Sequence, residues 1–240
     1  MRTADYIYRV ASRLRHDLAA GNTLGHGVHS PYLYYIIRFL VYDENVYYCF
    51  SDIEKERRHL LRSSAEIFVE DFGTGVSGNR RVRDIAESSL MPPRDAQMLF
   101  KIVNFLHSQT VIELGTNLGI TTSYLSAATG RGGSVYTFEG SSTLVDEAKK
   151  VWSRLRCENI TAVEGNIDVT LEQFLQVHDI VDFALIDANH RYEPTIRYFN
   201  LLAEHSGKSG VVVLDDIHYS VEMGKAWEEI KSHPRVVATN

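Results

Sequence analysis

The stretch Val111-Ile112-Glu113-Leu114-Gly115-Thr116-Asn117-Leu118-Gly119 decides the fold of this chain of 240 residues. It begins as a short apolar strand that carries one acid, and two glycines follow where the backbone must turn tightly and approach a neighbour closely. A helical pattern starts directly afterwards. The spacing E-x-G-x-x-x-G differs from G-x-G-x-x-G, whose glycines make room for a pyrophosphate. The acid that opens the loop favours a ligand with a cationic end.

The chain around this stretch alternates between short apolar strands and helical patterns. Strands are predicted at 110–114, 134–138, 160–163, 181–186 and 210–214. Helices are predicted near 96–106 and at 121–128, 145–155, 170–176, 195–203 and 221–230, the fourth of them with a capping-box spacing of Thr170 and Gln173. Strands separated by helix-length segments indicate parallel βαβ units. We therefore predict an α/β fold, a Rossmann-like, doubly wound and mostly parallel sheet, over residues 91–240.

The first 90 residues follow a different pattern. Apolar positions at helical spacing run through residues 3–19, a Ser30-Pro31 pair is typical of a second helix start, and a charged helix is predicted over 52–64. We expect residues 1–90 to form an N-terminal helical extension, or lid, over the sheet domain.

Composition excludes several functional classes. The net charge is −6, with no basic stripe of the kind that nucleic-acid binding requires. No apolar run is long enough to span a bilayer, and the N-terminus lacks a signal-peptide core. The chain has only two cysteines, Cys49 and Cys157, far apart in sequence. We predict a cytoplasmic protein without nucleic-acid or membrane partners.

Polar residues at strand ends indicate the ligand. Ligands of doubly wound sheets bind outside the carboxyl ends of the strands. The second strand ends at Glu139, twenty residues after Gly119, where a carboxylate can accept both hydroxyl hydrogens of a ribose. The third strand is followed by Gly165-Asn166, which suits contacts to an adenine edge. Together these positions predict a nucleoside ligand.

These segments resemble the class I S-adenosylmethionine methyltransferases. The resemblance rests on E-L-G-T-x-x-G, Phe138-Glu139-Gly140, Gly165-Asn166 and Ile186-Asp187-Ala188-Asn189-His190, and the most similar branch is the catechol-O-methyltransferase-like O-methyltransferases. It implies that Glu113 and Gly115 hold the methionine part of S-adenosylmethionine, Glu139 the ribose and Asn166 the adenine. The full set of predicted cofactor contacts is Glu113, Gly115, Thr116, Asn117, Gly119, Glu139, Gly140, Gly165, Asn166 and Asp187.

The same resemblance implies a divalent-metal site. The fourth strand ends at Asp187 and the fifth at Asp215-Asp216, and the family pattern often has Asn at the last of these positions. Three carboxylates at neighbouring strand ends could bind Mg²⁺ or another hard cation. Such a cation would lower the pKa of a substrate hydroxyl and aim it at the methyl group.

Two histidines are candidates for the general base. His190 lies three residues after Asp187, where relatives place a lysine, and His218 follows Asp216 closely. An imidazole can take a hydroxyl proton near neutral pH. The residues leave the choice between the two open.

A second glycine motif supports a rival interpretation. The segment Gly73-Thr74-Gly75-Val76-Ser77-Gly78 is a literal G-x-G-x-x-G after a strand-like stretch, as in a nicotinamide-dependent dehydrogenase. No second strand that ends in an acid follows it, so we interpret it as a mobile loop near the active site. A catalytically inactive cofactor-binding protein is the other alternative.

The sequence ends at Val236-Val237-Ala238-Thr239-Asn240, without the β-hairpin that usually completes this fold. We expect the C-terminal strand to be missing or supplied by a partner, and an unfinished sheet edge invites pairing with another chain. The prediction is therefore a homodimer that transfers a methyl group to a small-molecule acceptor, at a hydroxyl oxygen.

Overall fold

The computed structural model describes Tyr8, Leu40 and residues 43–70, 77–178 and 180–239. The two helices predicted at 3–19 and from Ser30 to about Val41 lie outside the described residues, apart from Tyr8 and Leu40. The elements, in chain order, are α1 (Phe50–Leu60), β1 (Glu66–Val69), β2 (Gly78–Arg81), α2 (Val82–Ser89), α3 (Pro93–Leu106), β3 (Thr110–Leu114), α4 (Ile120–Thr129), β4 (Ser134–Glu139), α5 (Ser142–Leu155), β5 (Ile160–Glu164), α6 (Ile167–Leu175), β6 (Val181–Ile186), α7 (Tyr192–His205), β7 (Ser206–Leu214) and α8 (Val221–Lys231).

Five parallel strands form the central sheet in the order β5-β4-β3-β6-β7. Strand β3 is in the middle, and its Val111 pairs with Val135 of β4 on one side and Phe183 of β6 on the other. The chain reverses its direction of winding at β3, which places the switch point at the end of this strand. The predicted doubly wound parallel sheet is confirmed.

The central strand is buried on both faces. Val111, Ile112 and Leu114 are each 0% exposed. Val111 packs into one apolar cluster, whereas Ile112 and Leu114 pack into another on the opposite face. Such a continuous buried run is typical of strands in parallel sheets that helices cover on both sides.

One predicted helix begins earlier than its capping pattern indicated. Helix α6 starts at Ile167, and its N-cap is Asn166, whose side-chain oxygen accepts a hydrogen bond from the Asp168 backbone N–H. The predicted capping box at Thr170 and Gln173 was wrong, because asparagine at the strand end already satisfies the first turn.

The second glycine motif lies in sequence between the two strands of a hairpin, not in a dinucleotide-binding unit. Residues 71–76 lie outside the described residues, so the loop predicted there is not described. Gly78 is the first residue of β2, which pairs antiparallel with β1. A dinucleotide fold needs a parallel strand after a helix, so the strand pairing does not support the dehydrogenase interpretation.

The described part of the extension packs on the sheet domain. Phe50 of α1 lies against Phe100 of α3 and Tyr124 of α4, with ring centroids 5.1 and 5.4 Å apart. Arg57, 6% exposed, pairs with Glu54 and donates to the Met91 carbonyl oxygen at 2.8 Å. Apolar rings and the hydrogen bond from Arg57 to Met91 thus join the extension to the sheet domain.

Strand β7 lies at one edge of the sheet within the described residues. The described residues that follow α8, 232–239, form no strand. In the described part of the chain, no helix is both long and apolar enough to cross a membrane.

Candidate active site

The loop after β3 is tied to both neighbouring strands. Gly115 has φ +104°, and a Cβ atom there would lie 2.1 Å from the Asp187 carbonyl oxygen. The backbone N–H groups of Gly115 and Thr116 both donate to the Phe138 carbonyl oxygen, at 2.9 and 3.2 Å. Glycine is required here because the ends of β4 and β6 lie against the loop.

Gly119 has a packing role. It has φ +75° and precedes α4, and the indole N–H of Trp152 donates to its carbonyl oxygen at 3.0 Å. A Cβ atom at this position would lie 2.6 Å from the Trp152 Nε1 atom and 2.7 Å from the Ala148 Cβ atom. The close approach that the glycine permits is therefore to helix α5.

Glu113 is the most unusual group of the site. It is 0% exposed, and the hydroxyls of Thr122 and Thr137 donate to its Oε2 atom at 2.5 and 2.6 Å. Its Oε1 atom is buried and has no hydrogen-bond partner. Burial raises the pKa of this carboxyl to about 7, although the two hydroxyls oppose the shift. A buried acceptor without a partner is costly, which is the state expected of a group that awaits a donor from a ligand.

The two threonines around Glu113 were missed by the sequence analysis. Thr137 could have been found, because it is the direct partner of Glu113 in the β3–β4 register. The Thr116 hydroxyl is used inside this network, 2.6 Å from the Thr137 hydroxyl oxygen. Its side chain, predicted to contact the cofactor, points into the protein interior.

Glu139 is oriented by backbone donors at the end of β4. Its Oε2 atom accepts from the Asn117 N–H and its Oε1 atom from the Ser141 N–H, both at 3.0 Å. Gly140 forms the bend between Glu139 and Ser141. A carboxylate oxygen can accept more than one hydrogen bond, so the orientation suits further donation from a ribose.

Asn117 joins Glu139 to the extension. It has φ +50°, and its side-chain N–H donates to the Ser89 hydroxyl oxygen at 2.8 Å. Its Oδ1 atom is buried without a hydrogen-bond partner. Two acceptors without partners therefore lie four residues apart in sequence, Glu113 in β3 and Asn117 in the loop that follows this strand.

The third strand end offers less to a ligand than predicted. Gly165 has φ +128°, and its N–H donates to the Glu139 carbonyl oxygen at 2.9 Å. The Asn166 oxygen accepts from the Asp168 N–H at 3.0 Å and so caps α6. Because the oxygen is used in this cap, a contact from Asn166 to adenine would come from its side-chain NH₂ group.

Three acids lie at the neighbouring ends of β6 and β7. The pKa of Asp187 is raised well above its usual range by burial and by the charge of Asp215. Burial and the charge of Asp216 also raise the pKa of Asp215, and Asp95 at the start of α3, which the sequence analysis missed, adds to this shift. An aspartate in a first helical turn is ordinarily only a helix-dipole partner, so no sequence signal distinguished it.

The acids do not fit a metal centre as they are arranged. Among the described residues, no three acidic, histidine or cysteine side chains are gathered as ligands of one ion. The ring of His190 lies between the carboxylates, with Nε2 3.6 Å from Asp187 Oδ1 and Nδ1 4.0 Å from Asp216 Oδ2. An imidazole thus stands between two of the three predicted ligands.

The second histidine candidate lies on the adjacent turn. The Tyr219 N–H donates to the Asp216 carbonyl oxygen at 2.8 Å, which closes a turn around half-buried His218. The ring of Tyr219 lies 5.7 Å from that of His190. The two histidines therefore lie in the turns that follow the neighbouring strands β6 and β7.

A separate groove of about 1110 Å³ lies at the first turns of α7 and α8. None of the predicted site residues lines it. Its lining includes Asp168, Arg191, Arg197 and Lys225, and Tyr8 lies against Gly224 there. It is therefore a different surface from the strand-end site.

Comparison with known proteins agrees with this geometry. Residues 112–217 match the model of a methyltransferase domain. No curated protein sequence matches the chain significantly.

Solved structures share the fold at low sequence identity. An O-methyltransferase from Bacillus cereus in complex with SAH is 18% identical, with a TM-score of 0.61 over 82% of this chain and 85% of its own. The O-methyltransferase TomG from Streptomyces achromogenes, involved in tomaymycin synthesis and in complex with SAM, is 14% identical, with a TM-score of 0.56 over 79% and 80%. The SAH-bound methyltransferase PaMTH1 from Podospora anserina is 11% identical, with a TM-score of 0.55 over 78% of each chain. Residues 112–217 are therefore similar to a methyltransferase domain, and the chain shares the fold of these solved methyltransferases.

Proposed function

We propose that the protein transfers a methyl group from S-adenosylmethionine to a hydroxyl oxygen of a small molecule. The observation that carries the proposal is the pair of buried acceptors without partners, Glu113 Oε1 and Asn117 Oδ1, beside the oriented carboxylate of Glu139. A cationic amino-acid group and a ribose can supply donors to these two acceptors and further donors to the Glu139 carboxylate. The structural neighbours that contain SAM or SAH support the same choice of cofactor.

Glu113 in β3 and Glu139 at the end of β4 would hold the cofactor, which supplies an electrophilic methyl group when bound. Glu113, whose second oxygen is fixed by two threonine hydroxyls, would accept from the ammonium group. Glu139 would accept from the ribose hydroxyls. Because hydrogen bonds inside the protein already hold both carboxylates, their orientation is set before the ligand arrives.

The acceptor would lie at the ends of β6 and β7. There His190 would take the proton of the hydroxyl as its oxygen bonds to the methyl carbon and the carbon–sulfur bond breaks. The carboxylates of Asp187 and Asp216 flank its ring and stabilise the imidazolium that forms. His218 is the alternative base, and full activity of a His190→Gln variant would transfer this role to it.

A divalent cation at the ends of β6 and β7 is a further part of the proposal, and none of the steps above depends on it. Its support is the position of Asp187, Asp215 and Asp216 at the neighbouring ends of β6 and β7, whose side chains would have to move together to hold an ion. Turnover that a chelator abolishes and Mg²⁺ restores would establish the ion; unchanged turnover in the chelator would remove it.

The first experiment is a calorimetric titration with S-adenosylhomocysteine, with NADH as the parallel ligand. We expect saturable one-to-one binding of S-adenosylhomocysteine and none of NADH. Glu139→Ala should weaken binding about 100-fold or more, because it removes charge-assisted hydrogen bonds to the ribose. Glu164→Ala is the matched control, since Glu164 ends the neighbouring strand opposite Glu139 but pairs with Lys149 at the surface.

The outcomes separate the interpretations. Binding that depends on Glu139 but not on Glu164 supports the proposed cofactor site. A preference for NADH would favour the dehydrogenase alternative. An inactive cofactor-binding protein would bind S-adenosylmethionine but would form no S-adenosylhomocysteine from it when phenolic acceptors such as catechol are present.

Homodimerisation is proposed for the same protein on the basis of strand β7. This strand is at the sheet edge within the described residues, and an edge strand can pair its outer backbone groups with another chain. Light scattering checks the proposal, and a monomeric mass would contradict it. The cytoplasmic location and the absence of nucleic-acid partners remain predictions from composition.

A further inference from the structure

The turn after β6 has a backbone that needs external support. Asn189 and His190 have φ +65° and +39°, so two consecutive residues other than glycine adopt left-handed conformations. Such conformations are disfavoured, and they persist where surrounding contacts impose them. This turn carries His190 and follows Asp187 directly, so its shape decides where both side chains lie.

The contacts that impose the turn come from helix α7. The Asn189 side-chain N–H donates to the Tyr198 hydroxyl oxygen at 2.6 Å. The Tyr198 hydroxyl in turn donates to Asp168 Oδ1, which also accepts from the Arg197 guanidinium. Tyr198 is 0% exposed. A chain of hydrogen bonds thus runs from Arg197 and Asp168 through a buried hydroxyl to the strained turn.

These hydrogen bonds link the turn after β6 to the first turn of α6. Asp168 is in the first turn of α6, two residues after Asn166, at the strand end predicted to meet the adenine. Burial would raise the pKa of Asp168, but the hydrogen bonds from Tyr198 and Arg197 outweigh this and lower it. The acceptor is therefore charged at neutral pH, which strengthens the bond that holds the Tyr198 hydroxyl.

We propose that Tyr198 is a positioning residue of the methyl transfer, whose hydroxyl holds the Asn189–His190 turn in register with Asp187 by bridging it to Asp168. The inference rests on the proposed function for its catalytic consequence. Its geometric content, that the Tyr198 hydroxyl fixes His190, stands apart from which reaction the site performs. Small displacements of reacting groups reduce turnover strongly.

The test replaces Tyr198 by phenylalanine, which removes only the hydroxyl. The readout independent of any acceptor is the ¹H–¹³C NMR resonance of the His190 imidazole, assigned by its loss in His190→Gln. We expect this resonance to shift and broaden in Tyr198→Phe. With catechol as the probe acceptor, we expect kcat to fall about 10- to 100-fold while KM for S-adenosylmethionine changes less than about twofold.

Tyr124→Phe is the matched control. Tyr124 is also 0% exposed and also donates to a carboxylate, Glu54 Oε1 at 2.9 Å, but on the side of the extension. Both variants lose one buried hydroxyl, so a general loss of packing or stability affects both. Only Tyr198→Phe should change the His190 resonance and kcat.

A second variant tests the path of the effect. Asn189→Gly removes the amide while allowing the positive φ. If Tyr198 acts through Asn189, the variant that combines Tyr198→Phe with Asn189→Gly should have a kcat no lower than that of the slower single variant. Effects that multiply would contradict the proposed bridge.

The positioning role of Tyr198 and the proposed methyl transfer would be contradicted by different results. An unchanged His190 resonance in Tyr198→Phe overturns the inference whatever the reaction. A changed resonance in a protein that neither binds S-adenosylhomocysteine nor methylates catechol sustains the geometric inference and counts against the proposed function.

Discussion

Glu113 makes the stability of the unliganded protein depend on pH. Its pKa is about 7 in the folded protein, against an ordinary value of 4.5, because burial disfavours the charge. The folded state therefore binds more protons than the unfolded state between these values, and the free energy of unfolding falls as pH rises through this window. This single group should remove about 3 kcal/mol between pH 4.5 and 7.

Glu113→Gln isolates this effect, because the amide has nearly the same shape and no charge. We expect the difference in unfolding free energy between wild type and variant to change by about 3 kcal/mol across the window. Urea unfolding at a series of pH values measures it. Parallel pH profiles for the two proteins would contradict a raised Glu113 pKa.

Cofactor binding should lower the pKa of Glu113 again, because a cationic group next to this carboxyl favours its ionised form. S-adenosylhomocysteine binding at pH 7 should then release up to about half a proton. Calorimetry in buffers with different ionisation enthalpies measures this release, and Glu113→Gln should abolish it. Release that persists in the variant would assign the proton to another group, such as Asp187.

At the scale of residues, the sequence indicated the positions of the site better than their contacts. The positions of Glu113 and Glu139 near the carboxyl ends of β3 and β4 could be predicted, because the strand pattern indicates where each strand ends. Their contact with a cofactor stays a prediction. The packing of Gly119 on Trp152 could not, because it depends on how α5 crosses α4. Tyr198 had no sequence signal either, since a tyrosine at helical spacing is ordinarily a core residue.

At the scale of elements, the alternation of apolar strands and helices was enough to predict the sheet. Strands β3 and β6 match their predicted bounds, because buried parallel strands are short continuous apolar runs. Strand β7 begins at Ser206, earlier than the predicted 210. Its first residues are polar or glycine, and they pair with Val181 across an irregularity in the register that no sequence pattern showed.

The loop between β3 and α4 should tolerate no side chain at its first glycine. Gly115→Ala places a methyl group 2.1 Å from the Asp187 carbonyl oxygen at a positive φ. Gly130→Ala is the matched control, because Gly130 also has a positive φ but nothing lies within 4 Å of its added Cβ. The control should lose about 2 kcal/mol of stability from backbone strain, and Gly115→Ala about 2 kcal/mol more from the clash. Denaturant unfolding compares them, and equal losses would mean that β6 yields to the methyl group.

At the scale of the whole molecule, the boundary at residue 90 is visible in the sequence pattern, but the packing of the described residues crosses it. Phe50, Ile53 and Val82 from the first 90 residues share one buried cluster with Leu118 and Trp152 from the sheet domain. The described part of the extension therefore has no hydrophobic core separate from that of the sheet domain. The described extension and the sheet domain should therefore unfold as one cooperative unit.

The two tryptophans allow this to be measured on both faces of the sheet. Trp152 belongs to the cluster shared with the extension, whereas Trp227 packs in the cluster on the opposite face. In Trp227→Phe and Trp152→Phe proteins, fluorescence reports each face alone. Ile53→Ala, at a position 2% exposed, should cost about 2–5 kcal/mol. It should move both fluorescence transitions to lower denaturant by the same amount, because loss of contacts in α1 is transmitted through the shared core. A shift confined to Trp152 would instead show that the extension unfolds separately, as a lid over a domain that is stable without it.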